Sequence, residues 1–214
     1  MTDLYDITED RSSCGVGFIT RKDGVQSHDV LSMGHEALCR VPHRGGMSST
    51  GVGDGAGISV DLSLGFFSKL LGRTLAQDEF GVGNFFLPTA DQPRQHAKSL
   101  IEEKLAEFGF EVLLRRKVPV NNDAIEPRGI KLQLPIRQWV FAAPEGLDGA
   151  ELDQRLHDCL LAMEAAAYTD ETLDGFYPLS LSTRMQVLKG RLSSWEIIPY
   201  YSDLSDSDQA VHTM

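Results

Sequence analysis

Residues 12–20 read SSCGVGFIT, and this junction decides how the chain is understood. Before it lies a polar, acidic leader, Met1 to Ser13, in which Asp3, Asp6, Glu9 and Asp10 outweigh Arg11. After it comes a short apolar run, Cys14 to Thr20, expected to form a buried strand. The leader has neither the basic start nor the apolar stretch of a secretory signal, and it is not an Arg-rich transit peptide. If it were cut away, Cys14 would carry a free α-amino group. That amine, with a reference pKa of about 8, can serve as the base that activates its own side chain as a nucleophile. Taken alone, a cysteine at the start of a strand is more often a small buried hydrophobe.

The 214-residue chain as a whole is globular in composition, with 42% apolar and 24% charged residues. The net charge of −11, from 31 acidic against 20 basic residues, argues against nucleic acid as a partner, since phosphate is repelled by such a surface. No apolar run approaches the roughly 18 residues of a membrane helix, so no membrane partner is expected. Cys14, Cys39 and Cys159 are an odd set without zinc or redox spacing. They point to a reducing compartment, and the expected location is cytoplasmic. Cys39 and Cys159 fall on helical patterns and read as core or half-buried thiols. His28, His35, His43, His96, His157 and His212 form no metal pattern, and no metal site is assigned.

Helices are expected over His28–Val41, Gly65–Leu71, about Asp91–Phe108 with Asp91 as its N-cap and Pro93 just inside it, and from Asp148 to about Ala167, with a last short one capped by Ser193 and Glu196. Strands are expected over Ile58–Leu62, Val82–Leu87 and Glu111–Val118, with Leu132–Ala143 mostly extended. From Tyr177 to Val187 the alternation predicts one strand, or a hairpin bent near Thr183-Arg184. Strands come in runs rather than in strict alternation with helices, which favours an α/β (α+β) sandwich with largely antiparallel sheets.

Residues 43–57, HRGGMSSTGVGDGAG, hold six glycines and read as a structured loop. Gly51, Gly53 and Ala56 satisfy a dinucleotide fingerprint, G-x-G-x-x-A. That motif works only with a strand before it and a helix after it, and here a polar loop precedes and a strand pattern follows. The other readings are a backbone that needs positive φ at several points, or a loop beside an active site.

Cys14-Gly-Val-Gly-Phe18, Glu36-Ala-Leu38, His43-Arg-Gly45 and Gly53-Asp-Gly-Ala-Gly57, in this order and spacing, resemble the start of the class-II glutamine amidotransferases. The similarity is strongest to the amidotransferase domain of the glutamate synthase large subunit, and it continues through Val82–Pro88, Val118–Val120, Phe176–Tyr177, Ser180–Arg184, Lys189–Gly190, Tyr200–Asp203 and Val211-His212. The resemblance implies a four-layer αββα sandwich of the N-terminal-nucleophile type. It divides the chain into a leader, 1–13, removed as a propeptide, and the N-terminal part of the domain, 14–214.

The resemblance further implies that Cys14 is the catalytic nucleophile, acting on L-glutamine through a thioester. His43, Arg44, Gly45, Gly53, Asp54 and Gly55 would form a loop near the site. Ammonia would pass to a synthase domain or subunit that aminates 2-oxoglutarate. The family's FMN and iron–sulfur cluster belong to other domains, so no cofactor is assigned to this chain. One departure stands out: Met214 occupies the position where the family places the arginine that binds the glutamine α-carboxylate, and the oxyanion donors lie further on. The isolated chain is therefore expected to be a nucleophile half-site, C-terminally incomplete. The other outcome is a degenerate relative kept for binding or assembly.

Overall fold

The computed structural model describes residues 15–41, 48, 49, 51–147 and 149–214. Helix α1 (His28–Cys39) is opened by Ser27, whose Oγ accepts from the Asp29 N–H, and it buries Val30, Leu31 and Gly34. Strand β1 (Ala56–Asp61) follows the glycine loop. Helix α2 (Leu64–Leu71) is capped by Ser63 and closed by Gly72 in the left-handed conformation, φ 65°. Then come β2 (Phe80–Phe86), α3 (Asp91–Glu107) and β3 (Glu111–Lys117). A short α4 (Pro127–Ile130) leads to β4 (Ile136–Ala142) and α5 (Gly149–Tyr168). Strands β5 (Tyr177–Ser182) and β6 (Met185–Gly190) and the short α6 (Ile197–Tyr200) complete the order.

The fold is a mixed α/β arrangement with two antiparallel sheets. One has the order β3-β4-β2-β5; the other pairs β1 with β6. Strand β2 is buried along nearly its whole length, as expected of a strand covered on both faces. On one face Phe85, Trp139 and Phe141 pack against Leu100, Ile101 and Leu105 of α3 and Leu152, Leu156 and Met163 of α5. Phe80, Val82 and Val140 instead meet Phe66 and Phe67 of α2. A further core joins α1 to the β1–β6 pair through Val30, Leu31, Ile58, Val60 and Leu188.

The predicted bend at Thr183-Arg184 is a turn between β5 and β6, and the two strands enter different sheets. Side-chain amides tie the sheets together at this point. Gln138 Nε2 donates to Asn84 Oδ1 (2.8 Å) and to Gln186 Oε1 (3.1 Å), and Asn84 Nδ2 donates to the Val187 carbonyl (3.0 Å). All three amide side chains are buried, so each bond also removes the penalty of an unpartnered polar group.

Two expectations need correction. Residues 15–19 of the expected strand Cys14–Thr20 form no strand, and Thr20 makes only an isolated bridge to Thr213. Apolar character alone does not make a strand: the ladder needs a partner backbone, and here pairing starts only at Ile19. The stretch Leu132–Ala143, expected to be mostly extended, holds strand β4 from Ile136 to Ala142. Asp91 is the first residue of α3 rather than its cap; Ala90 holds the cap position without a side-chain bond.

Candidate active site

The glycine loop is built by contacts that only small residues permit. Val52 is buried, and its N–H donates to Ser48 Oγ (3.1 Å) while the Ser48 N–H donates to the Val52 carbonyl (2.8 Å). Gly51 turns the chain with φ 81°. Gly53 lies against the backbone of Leu192 and Ser193, where a Cβ would meet three atoms at 2.4 Å. That backbone is itself held by a capping box: Ser193 accepts from the third residue of its turn, and the Ser193 N–H donates to Glu196 Oε2 at 2.6 Å. The loop therefore rests on a fixed floor.

A cleft of about 620 Å³ opens beside it, bordered by Asp54, Ser59, Phe86, Gln133, Lys189 and Arg191. Of the residues expected near the site, Gly53, Asp54 and Gly55 are in this loop, and Asp54 and Gly55 line the cleft. Cys14, His43, Arg44 and Gly45 lie outside the described residues. The dinucleotide fingerprint fails its structural test, because Ala56 begins strand β1 where a helix is required.

The segment that follows Cys14 is exposed at Val16 (95%) and Phe18 (82%). From Ile19 it runs beside residues 212–214. The Ile19 N–H donates to the Met214 carbonyl (2.8 Å), the Met214 N–H returns a bond to Ile19 (2.9 Å), and the Arg21 N–H donates to His212 (2.8 Å).

Asp61, at the end of β1, fastens this ladder. Its Oδ1 accepts the N–H groups of His212 (2.9 Å) and Thr213 (2.8 Å); its Oδ2 accepts from Gln26 Nε2 (2.7 Å) and faces His212 Nδ1 at 2.8 Å. Sequence reasoning missed Asp61. It is one acidic residue among 31, and its partner in the ladder is 151 residues away. The only available signal was the Val211-His212 pair.

The other thiols do not compete for the nucleophile's role. Cys159 is fully buried under α5, and burial, then the charge of Glu107, pushes its thiol up to about 12. Cys39 sits on α1 with Sγ 3.5 Å from His35 Nε2. Partial burial raises its thiol as well, against a hydrogen bond from Ser194 that lowers it. A reactive cysteine needs the opposite shift. Cys39 and Cys159 lie in different parts of the fold, and no group of three or more His, Cys, Asp or Glu converges among the described residues.

The family description "Glutamine amidotransferases class-II" matches residues 14–214, so the matched segment opens on Cys14. The chain belongs to the class-II glutamine amidotransferases. Among curated relatives of this amidotransferase domain, the glutamate synthase [NADPH] large chain of Azospirillum brasilense is 31% identical over 217 residues, which cover 97% of this chain and 14% of its own length. The ferredoxin-dependent glutamate synthase 2 of Synechocystis is 33% identical, covering 94% of this chain and 13% of its own. The Bacillus subtilis glutamate synthase [NADPH] large chain is 33% identical, covering 95% and 14%. The amidotransferase domain thus spans about a seventh of the length of these relatives. Among its described residues, no helix is long and apolar enough to cross a membrane.

Proposed function

We propose that this chain is the glutaminase part of a glutamate synthase, with Cys14 as its catalytic residue and with the leader 1–13 removed to free the Cys14 amine. The observation that carries this reading is the start of the family match at residue 14, where a polar leader meets the apolar run. In the reaction, the Cys14 thiolate attacks the side-chain amide carbon of glutamine. A C–S bond forms, the C–N bond breaks, and the Cys14 ammonium gives its proton to the departing ammonia. Water then attacks the thioester, releasing glutamate and restoring the thiol. The loop of Gly53, Asp54 and Gly55, with His43, Arg44 and Gly45 before it, would wall this site. Two antiparallel sheets bridged by Asn84, Gln138 and Gln186, with α3 and α5 outside one of them, support an αββα sandwich.

Ammonia would pass to a synthase domain or subunit and aminate 2-oxoglutarate in a reducing, cytoplasmic setting. The reducing chemistry, with FMN and the iron–sulfur cluster, would belong to that partner, not to the residues here. The test is glutaminase activity of the chain within its parent polypeptide, before and after Cys14→Ala. Glutamate release that survives the substitution overturns the assignment of the nucleophile.

A second reading rests on Met214. In the resemblance this position is an arginine that grips the substrate carboxylate. Here the methionine packs against the α1 core, and a Cβ on Gly34 would lie 2.2 Å from its Sδ. A side chain so placed offers no charge to a carboxylate and favours a non-catalytic relative kept for binding. Saturable glutamine hydrolysis by the parent polypeptide decides against it.

A further inference from the structure

The chain is strongly acidic, yet one groove of about 410 Å³ gathers its cations. It lies between α3 and the ends of β3 and β4, and Lys98, Arg115, Arg116, Lys117 and Arg137 line it with Glu102 and Trp139. Glu102 is already occupied: Arg115 Nε holds its Oε1 at 3.0 Å, and the indole N–H of Trp139 points to the same oxygen. Arg116 is paired with Asp203, while Lys98, Lys117 and Arg137 make no ion pair with a described residue. Lys98 reaches only the amide oxygen of Gln95, and Arg137 donates to the carbonyl of Ile136, its own neighbour.

Two of these cations stand in an unfavourable relation. Lys117 and Arg137 are direct cross-strand partners in the β3–β4 register, an arrangement that costs stability for like charges. Arg137 is half-buried. Burial, and then the nearby charge of Arg94, disfavour its protonated form. Arg94 itself is engaged by Asp91 and by the carbonyl of Thr89. The carboxylates at this cluster, Glu102 and Asp203, are taken by Arg115 and Arg116, and none among the described residues is paired with Lys98, Lys117 or Arg137. An unrelieved cluster of cations around a concave, water-accessible groove is relieved when an anion enters it.

We propose that the groove formed by Lys98, Lys117 and Arg137 binds a small multivalent oxyanion, bearing phosphate or several carboxylates. It shares no residue with the glycine loop or its cleft, so this inference stands apart from the assignment of Cys14. Arg115 holds Glu102 away from the ligand, and the planar Arg137 fork meets two oxygens while Lys98 and Lys117 supply point charges from either side. The size of the groove suits a molecule of about the bulk of pyrophosphate or citrate rather than a polymer.

Calorimetric titration of the 214-residue chain with inorganic pyrophosphate, and separately with citrate, tests this at constant ionic strength. Saturable binding of at least one is expected, weakened at least tenfold by Lys117→Gln with Arg137→Gln, and unchanged by Lys22→Gln in a distant turn. The two arms tell phosphate chemistry from carboxylate chemistry. Without anion, the double variant should melt no lower than the parent, since it removes a like-charge pair. If it fails to fold, Lys98→Gln on the helix surface carries the same binding test. Absence of saturable binding for both probes, or equal binding by the groove variants, overturns the proposal.

Discussion

The carboxylate of Asp61 holds His212 twice, through the backbone N–H on Oδ1 and through the imidazole on Oδ2. With Thr213 on the same Oδ1, it orients the stretch that pairs with Ile19 and Arg21, a few residues after Cys14. Asp61→Ala should cost about 2–4 kcal/mol, because it removes several charge-assisted bonds and strands two N–H groups. Thermal unfolding would show this as a drop of several degrees. His212→Ala keeps both backbone bonds and should cost less than half as much. Equal losses for the two variants would mean that the imidazole, not the carboxylate, is the organiser.

Gly51 and Gly53 should respond to alanine for different reasons. At Gly51 there is open space but φ is 81°, so the cost is backbone strain of about 1 kcal/mol. At Gly53 the new methyl meets fixed backbone at 2.4 Å, and either the loop or the Ser193 turn must move. We expect Gly53→Ala to cost about 2–4 kcal/mol and, in the parent polypeptide, to lower glutaminase activity more than Gly51→Ala does. Urea unfolding of the pair gives the comparison. A smaller loss at Gly53 than at Gly51 would show that the loop yields at no cost.

Stability should fall on the alkaline side. Burial raises the pKa of Tyr200 and Tyr201 and pushes the thiol of Cys159 up to about 12. In the unfolded chain these groups ionise near about 8.5 for a thiol and about 10 for a phenol. Above those values the unfolded state holds fewer protons than the folded one. The free energy of unfolding then decreases with pH, by up to about 1.4 kcal/mol per unit for each group. Their contribution is intact below about pH 8.5 and is lost as pH climbs toward the folded values. Tyr201 donates its O–H to the Lys189 carbonyl at 2.6 Å, so Tyr201→Phe should lose about 1 kcal/mol at neutral pH while flattening the decline between pH 9 and 11. An unchanged slope would exclude Tyr201 as its source.

Thiol labelling separates the cysteines. Cys159 should resist iodoacetamide at pH 8 until the protein unfolds, and Cys39 should react slowly. Cys14 should react fastest in protein that begins at Cys14. Peptide mapping of the native-host protein would also report its first residue. A mature chain that retains Met1 to Ser13 would exclude the free-amine mechanism, and rapid labelling of native Cys159 would contradict its burial.

What could be read in advance was local. The Ser193–Glu196 box marks a helix start within a few residues of sequence, and the turn at Thr183-Arg184 interrupts an alternation visible by eye. What could not be read depends on distant partners. The expected strand at Cys14–Thr20 fails because its ladder is set by residues 212–214. Asp61 is unremarkable until those residues arrive beside it. The cationic groove assembles from α3, β3 and β4, none of which is notably basic except the Arg115–Lys117 run. Around the cleft, the glycine loop through Gly53–Gly57 was legible as a structured loop, because glycine answers to the backbone's own sterics.

The two-residue turn at Thr183-Arg184 sends β5 into one sheet and β6 into the other, and the Leu62 N–H donates to the Arg184 carbonyl just beyond β1. Neither sheet can therefore lose its edge without dragging on the other. The molecule should melt as a single cooperative unit, its slowest-exchanging amides spread over both sheets and lost together. Cutting the chain at this turn would uncouple the two halves more effectively than emptying either core.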